Sequence, residues 1–312
     1  MEYRQLGSAG VRVSELAVGC WRFGEATDKQ EAAKIVHKAL EGGINFFDTA
    51  NMYQDGQSET ILGSILTPEM RKDVVLASKC HFPVGFGVND YGNSRRHIMQ
   101  QVELSLGRLN TDHLDLYYLH RPDPTTESEE ELRAMEDLIR QGKVLYAGSS
   151  HYAAWQVCKS KWVADVRNLS GFVVEQAGFS LIRNEVEREL FPCARDLKVG
   201  IVAHSPLAQG VLTGKYHQQP IPPDSRGLAR DSDVALKATS SQKVIDCLRS
   251  VAEDYSCAME HVAIRWVLQK DPVCSTVIGP RTCDQLNSNL RAVGWSLSES
   301  DMQKLNAVAI QL

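Results

Sequence analysis

Residues 44–53 read INFFDTANMY. A short apolar run, NFFDT at 45–49, contains Asp48 at its end, and Tyr53 follows five residues later. Two further runs end in the same way: VVLAS (74–78) leads directly into Lys79, and LDLYYL (114–119) into His120. Each run is short and rich in β-branched or aromatic residues, the composition of a buried strand. In parallel α/β proteins reactive groups collect where strands end and the chain turns toward the next helix.

Working outward from this stretch, the same pattern fills the chain. Further strand runs are LAVGC (16–20), VLYAGS (144–149), FVVEQ (172–176), GIVAHS (200–205) and STVIG (275–279). Between the strands lie amphipathic segments. DKQEAAKIVHKALEGG spaces Ala32, Ile35, Val36 and Leu40 as one helical face and stops at Gly42 and Gly43. SETILGSIL offers Ser58 as an N-cap, and SRRHIMQQVELSLGRL offers Ser94. ESEEELRAMEDLIRQGK starts acidic and ends basic, matching a helix dipole. EVERELFPCARDL and the stretches 241–254, 257–270, 283–291 and 298–308 complete the helical runs. The opening MEYRQLGSAGVRVS reads as a hairpin turning at residues 7–10.

Eight strand–helix repeats predict an α/β fold of the (β/α)8 TIM-barrel type, with an N-terminal hairpin and extra C-terminal helices, as one domain over 1–312. An open doubly wound sheet is the competitor. For a dinucleotide enzyme it would carry G-x-G-x-x-G after an early strand, and none stands there. The irregular stretch 216–240 is too long for a plain connection and reads as a lid or a disordered segment.

The 312 residues carry a net charge of −5, which does not favour nucleic acid or an anionic membrane as partner. No apolar stretch approaches the ~20 residues of a membrane span, and the N-terminus lacks the pattern of a signal peptide. Eight cysteines show no C-x-x-C pair and no zinc spacing, so reduced thiols in a cytoplasmic protein without a metal are expected.

A tyrosine, a lysine, an aspartate and a histidine can serve reduction of a carbonyl. No side chain supplies hydride, so a nicotinamide cofactor is required. A tyrosine hydroxyl can supply the proton, although its ordinary pKa of ~10 makes it a reluctant acid. Lys79 is expected to lower that pKa by stabilising the phenolate, Asp48 to keep the lysine charged, and His120 to hydrogen-bond the substrate oxygen. Each residue alone has an ordinary reading: a capping Asp, a surface Tyr, a solvated Lys, a core His.

The stretches GINFFDTANMYQDGQSETILG, LASKC, LDLYYLHRPD, GKVLYAGSSHY, GIVAHSPLAQGVLTGKY and VIGPRTCDQLNSNL, in this order, make the chain resemble an aldo-keto reductase along nearly its full length. The resemblance implies a barrel whose hairpin closes the bottom and NADPH bound extended, NADH being less favoured. It carries a catalytic tetrad onto Asp48, Tyr53, Lys79 and His120. By matching position, Gly19, Cys20 and Trp21 approach the nicotinamide ribose, and Ser150 and Gln176 hold the carboxamide. Ser205, Pro206, Leu207, Ala208, Gln209 and Gly210, with Lys215, line the pyrophosphate. Gly279, Arg281, Gln285 and Asn289 take the adenosine end, with Arg281 on the 2′-phosphate. Trp21, Tyr53, Phe82 and His120 face a small carbonyl substrate, which an open site suits to something bulky or sugar-like; Phe86 and Tyr91 are further candidate contacts.

Two positions depart from the family pattern. His151 follows the matched serine, where Asn or a small acidic residue is usual, and His204 stands where many members stack an aromatic on the nicotinamide. Both imidazoles are expected to titrate near neutral pH and to make cofactor affinity pH-dependent. The same resemblance extends to cytoplasmic β subunits of potassium channels, which often carry Asn in place of His120. His120 therefore favours the enzyme, and it also argues against reduction of a carbon–carbon double bond, where Glu replaces it.

Overall fold

The computed structural model describes residues 1–217, Ser225 and 234–309, with the side chains of 235 and 236 excepted. Eight parallel strands close into a barrel: β3 (Leu16–Gly19), β4 (Phe46–Asp48), β5 (Val75–Cys80), β6 (Leu114–Leu119), β7 (Val144–Ser150), β8 (Phe172–Gly178), β9 (Gly200–His204) and β10 (Val273–Ile278). They pair in chain order and β10 returns to β3, so no edge is left open. Helices including α1 (Lys29–Glu41), α2 (Gln57–Ile65), α4 (Arg95–Leu109), α5 (Ser128–Arg140), α6 (Ala154–Arg167) and α7 (Val186–Leu197) form the outer layer, and α3 (Pro68–Arg71) is a single turn. After β9 come α8 (Val234–Ser240), α9 (Gln242–Asp254) and α10 (Met259–Leu268); α11 (Cys283–Asn289) and α12 (Glu299–Val308) follow β10. Most of the 216–240 segment expected as a lid lies outside the described residues.

Alternation along each strand divides the core in two. Outward-facing Leu76, Tyr117 and Leu119 pack under the helices, while Ala17, Phe46, Val75, Leu116, Val174 and Val202 fill the barrel. The antiparallel hairpin of β1 (Tyr3–Gln5) and β2 (Arg12–Ser14) contributes Leu6, Ala9 and Val13 to that inner cluster and so plugs the barrel's N-terminal end. Gly7 makes this approach possible. It has φ +58, and a Cβ there would lie 1.9 Å from the Val173 carbonyl oxygen.

Two local readings are corrected by the structure. Ser58 does not cap α2; Gly56, at φ +85, holds that position. The Ser58 hydroxyl instead donates to the Cys20 carbonyl at 2.7 Å and lies 2.9 Å from the Thr49 hydroxyl, inside the protein. Helix α6 is absent from the sequence reading. It opens after Ala153 rather than a polar cap, and Trp155 and Trp162 point outward, which blurs its apolar period. Ser94 caps α4 as expected, accepting from the His97 amide.

Candidate active site

The pleat explains how separate strands converge on one point. Counting inward positions upward from the core, Gly19, Asp48 and His204 end their strands, Lys79 and Gln176 stand within two residues of the C-terminal end, and His120 lies just past it. Tyr53 opens a short 3-10 turn after β4, whose next residues Gln54 and Asp55 have φ of 51° and 52°. That turn brings the phenol back over the barrel mouth.

Lys79 is fully buried and forms the hub. Its ammonium donates to the Asp48 carboxylate, to the Thr49 carbonyl at 2.9 Å and to the Tyr53 hydroxyl at 3.5 Å. It lies 5.1 Å from the centre of the Tyr53 ring and 5.6 Å from that of Tyr118. The second Asp48 oxygen accepts from the Gln176 side-chain amide at 2.8 Å. Tyr53 meets His120 edge-on, with ring centres 5.7 Å apart, and Phe82 meets His120 from another side at 5.0 Å.

Burial pulls Lys79 toward its neutral form, but Asp48 and then Tyr53 outweigh it and raise its pKa. For Tyr53 the balance corrects the sequence expectation. Burial raises the phenol's pKa by more than the Lys79 ammonium lowers it, so the net shift is upward. Tyr53 therefore holds its proton at neutral pH, and Lys79 reduces the cost of releasing it. Burial, Lys79 and the neighbouring His151 hold His120 well below the ordinary imidazole range, so it is neutral and offers one N–H. His120 Nδ1 has no protein partner.

The expected titration of His151 and His204 is also overturned. Their rings lie 4.9 Å apart. Burial lowers His151 to about 3, helped by Arg121 and Arg183, and burial together with His151 lowers His204 well below its ordinary value. Neither gains charge near pH 7.

A cleft of about 460 Å³ runs from this mouth toward the far rim between β9 and α11. Trp21, Asp48, Tyr53, His120, His151 and Gln176 line its inner end. His204, Ser205, Pro206, Leu207, Gln209, Gly210 and Lys215 line it as well, and so do Gly19, Gly279, Arg281, Gln285 and Asn289. Five expected residues stand elsewhere. Lys79 lies beneath the surface of the cleft. Cys20 is buried in the outer core. Ser150 is buried with its hydroxyl on the Gln176 carbonyl at 3.0 Å. Ala208 packs against the core, and Phe82 flanks His120 beyond the lining. Phe86 is fully exposed and Tyr91 meets His81 edge-on at 4.9 Å, so neither reaches His120 as Phe82 does.

The cleft also contains residues the sequence reading missed: Arg22, Thr213, Glu260, Val277, Ile278, Pro280 and Ser288. Glu260 accepts from the Ser288 hydroxyl at 2.8 Å across α10 and α11. Arg22, Thr213, Glu260 and Ser288 lie off the strands, which is why strand-end counting passes over them, whereas Val277 and Ile278 close β10 as apolar residues that give no chemical signal. Among the described residues no helix is long and apolar enough to cross a membrane, and no cluster of ligating side chains is placed to hold a metal.

The cleft presents an unpartnered imidazole nitrogen, His204 Nε2. The chain there turns through Ser205, Ala208, Gln209 and Gly210 at φ of 60°, 47°, 60° and 92°, and the turn is closed by the Ala208 amide on the Ser205 carbonyl and the Gly210 amide on the Leu207 carbonyl, each at 2.9 Å. Arg281 and Lys215 supply positive charge.

Comparison with known proteins agrees with this architecture. Residues 15–310 match the family described as "Aldo/keto reductase family". The chain is 38% identical to "Uncharacterized oxidoreductase YrpG" of Bacillus subtilis (strain 168), over 99% of this chain and 96% of that protein. It is 36% identical to a "Probable voltage-gated potassium channel subunit beta" of Arabidopsis thaliana and 37% identical to one of Oryza sativa subsp. japonica. Each of these two alignments covers 94% of this chain and 91% of the relative. With its closed barrel and a family match over almost the whole sequence, the chain belongs to the aldo/keto reductase family.

Proposed function

We propose that this oxidoreductase uses NADPH to reduce an aldehyde or ketone to the alcohol, with Tyr53 as the proton donor. The observation that carries the reading is the Lys79 ammonium, fixed by Asp48 and the Thr49 carbonyl beside the Tyr53 hydroxyl. The nicotinamide, when bound, supplies hydride from C4 to the carbonyl carbon.

The protein's own residues do the rest. Tyr53, kept protonated by burial, releases its proton to the carbonyl oxygen, and Lys79 stabilises the phenolate left behind. Neutral His120 donates its N–H to the same oxygen and fixes the angle of approach. Asp48 and Gln176 hold the lysine in place through one hydrogen-bonded chain. His204 offers an aromatic face to the nicotinamide ring, and Arg281 supplies the fork that favours a 2′-phosphate, hence NADPH over NADH. The 43% exposure of Trp21 among the residues that line the cleft supports an open site, suited to a bulky or sugar-like carbonyl.

A second reading follows from the plant relatives named as channel β subunits: a nicotinamide-binding regulatory protein with weak turnover. The test is a screen of NADPH and NADH oxidation over aldehydes, ketones, quinones and keto-sugars. Stoichiometric NADPH loss with alcohol formation supports the enzyme. Tight NADPH binding with no turnover on any carbonyl supports the regulatory protein.

A further inference from the structure

Two thiols outside the cleft meet on the barrel's outer layer. Cys158 lies on α6 and Cys193 on α7, and these helices pack side by side. The two sulfurs are 3.3 Å apart, the one thiol–thiol contact among the described residues. The other six cysteines are buried or half-buried without such a partner. Cys158 is exposed, whereas Cys193 is half-buried.

The geometry points to an oxidative modification site here: Cys158 and Cys193 form a reversible disulfide when the protein meets a hydroperoxide. Exposure makes Cys158 the attacking sulfur. Its thiolate displaces one peroxide oxygen, giving a sulfenic acid and hydroxide, or alkoxide from an organic peroxide. Cys193 then attacks the sulfenic sulfur; its proton and the departing hydroxyl leave as water. Two thiols are oxidised by two electrons, and one peroxide is reduced.

The surroundings fit this order. The Cys193 thiol donates to the Ala154 carbonyl at 3.5 Å, which fixes its hydrogen and leaves sulfur lone pairs free for Cys158. Burial, and then Cys158 beside it, push the Cys193 thiol up to about 12, so it waits as a thiol rather than competing for oxidant. Helices α6 and α7 follow β7 and β8, next to His151 and Gln176, so the bond ties one sector of the frame behind the cleft.

The test treats the reduced full-length protein with hydrogen peroxide, removes the oxidant, alkylates under denaturing conditions and measures intact mass and peptides. The expected product takes two fewer alkyl groups than the eight of the reduced chain. It has lost two hydrogens and yields one peptide pair joining residues 158 and 193 that dithiothreitol separates. Cys158→Ser and Cys193→Ser should each abolish the pair within one chain. Full alkylation after peroxide, a lasting sulfenic or sulfinic acid on Cys158 with Cys193 still alkylated, or a link between two chains would overturn the proposal.

Discussion

The two ends of the barrel are built on opposite rules. At the N-terminal end every device serves closure. Leu6, Ala9 and Val13 of the hairpin fill the opening, and buried Glu15 accepts from Arg265 at 2.8 Å and from Arg4 at 3.3 Å. The Ser275 hydroxyl and the Thr276 amide fasten β10 to the carbonyls of Ser14, which ends the hairpin, and Glu15, which follows it. At the C-terminal end the unpartnered His120 Nδ1 and His204 Nε2 belong to residues that line the cleft, whereas the unpartnered Arg265 Nε of the closed end is buried away from it. In the cleft loops the non-glycine residues His151, Ser205, Ala208 and Gln209 hold left-handed backbone conformations, whereas at the other end Asn110, Asn168 and Lys198 do so only as helix C-caps. Such strain persists only where the surrounding structure enforces it. One end contributes stability and the other presents reactive groups, a division that strand direction imposes on barrels of this kind.

The sharpest way to break the comparison is to remove the hub at the reactive end. Lys79→Met should reduce turnover by about 10³-fold, the scale of lost acid–base assistance, while the protein still folds. Steady-state kinetics beside a thermal melt would show it. A fall in stability with turnover intact would reverse the assignment of the two ends.

The matching change at the closed end is Glu15→Ala. It strands the Arg265 guanidinium in a buried site and should cost about 3–5 kcal/mol of stability. Denaturant unfolding measures the loss. Turnover of the folded fraction should be unchanged, and a large drop in kcat would mean that the ends are coupled.

A smaller effect concerns pH. Burial holds His120, His151 and His204 below the ordinary imidazole value. The unfolded chain binds protons at these positions as pH falls through about 6.5, while the folded protein refuses them. Their contribution to stability is present above that pH and declines below it. Buried Glu175, raised to about 8, and Glu131, raised to about 7, act in the opposite sense, so the test compares variants. Between about pH 7.5 and about pH 5 the denaturant midpoint of His204→Phe should fall less than that of the unaltered protein. An equal fall in both would remove His204 from the linkage. The smallest expected effect is on catalysis: the pH–rate profile near neutrality should be the same in His204→Phe.

Much of this was legible in the sequence because a barrel repeats one local rule. A run such as VVLAS ending at Lys79 announces both a strand and the residue at its mouth, and the order of the runs gives the closure. Features set by tertiary surroundings were not legible. Ser58 looks like a cap, yet its hydroxyl is drawn inward to the Cys20 carbonyl. Helix α6 conceals its period because Trp155 and Trp162 face outward. The phenol and the two imidazoles shift in directions that depend on burial, which a sequence window does not reveal. Glu260 and Ser288 reach the cleft from helices rather than strand ends.

The central claim is that the Tyr53 hydroxyl delivers the proton beside Lys79. Its most direct test is Tyr53→Phe, followed by NADPH titration through cofactor fluorescence and by turnover on the best carbonyl substrate. The account predicts unchanged NADPH affinity and a turnover lower by about 10²- to 10⁴-fold. Turnover equal to that of the unaltered protein would contradict it.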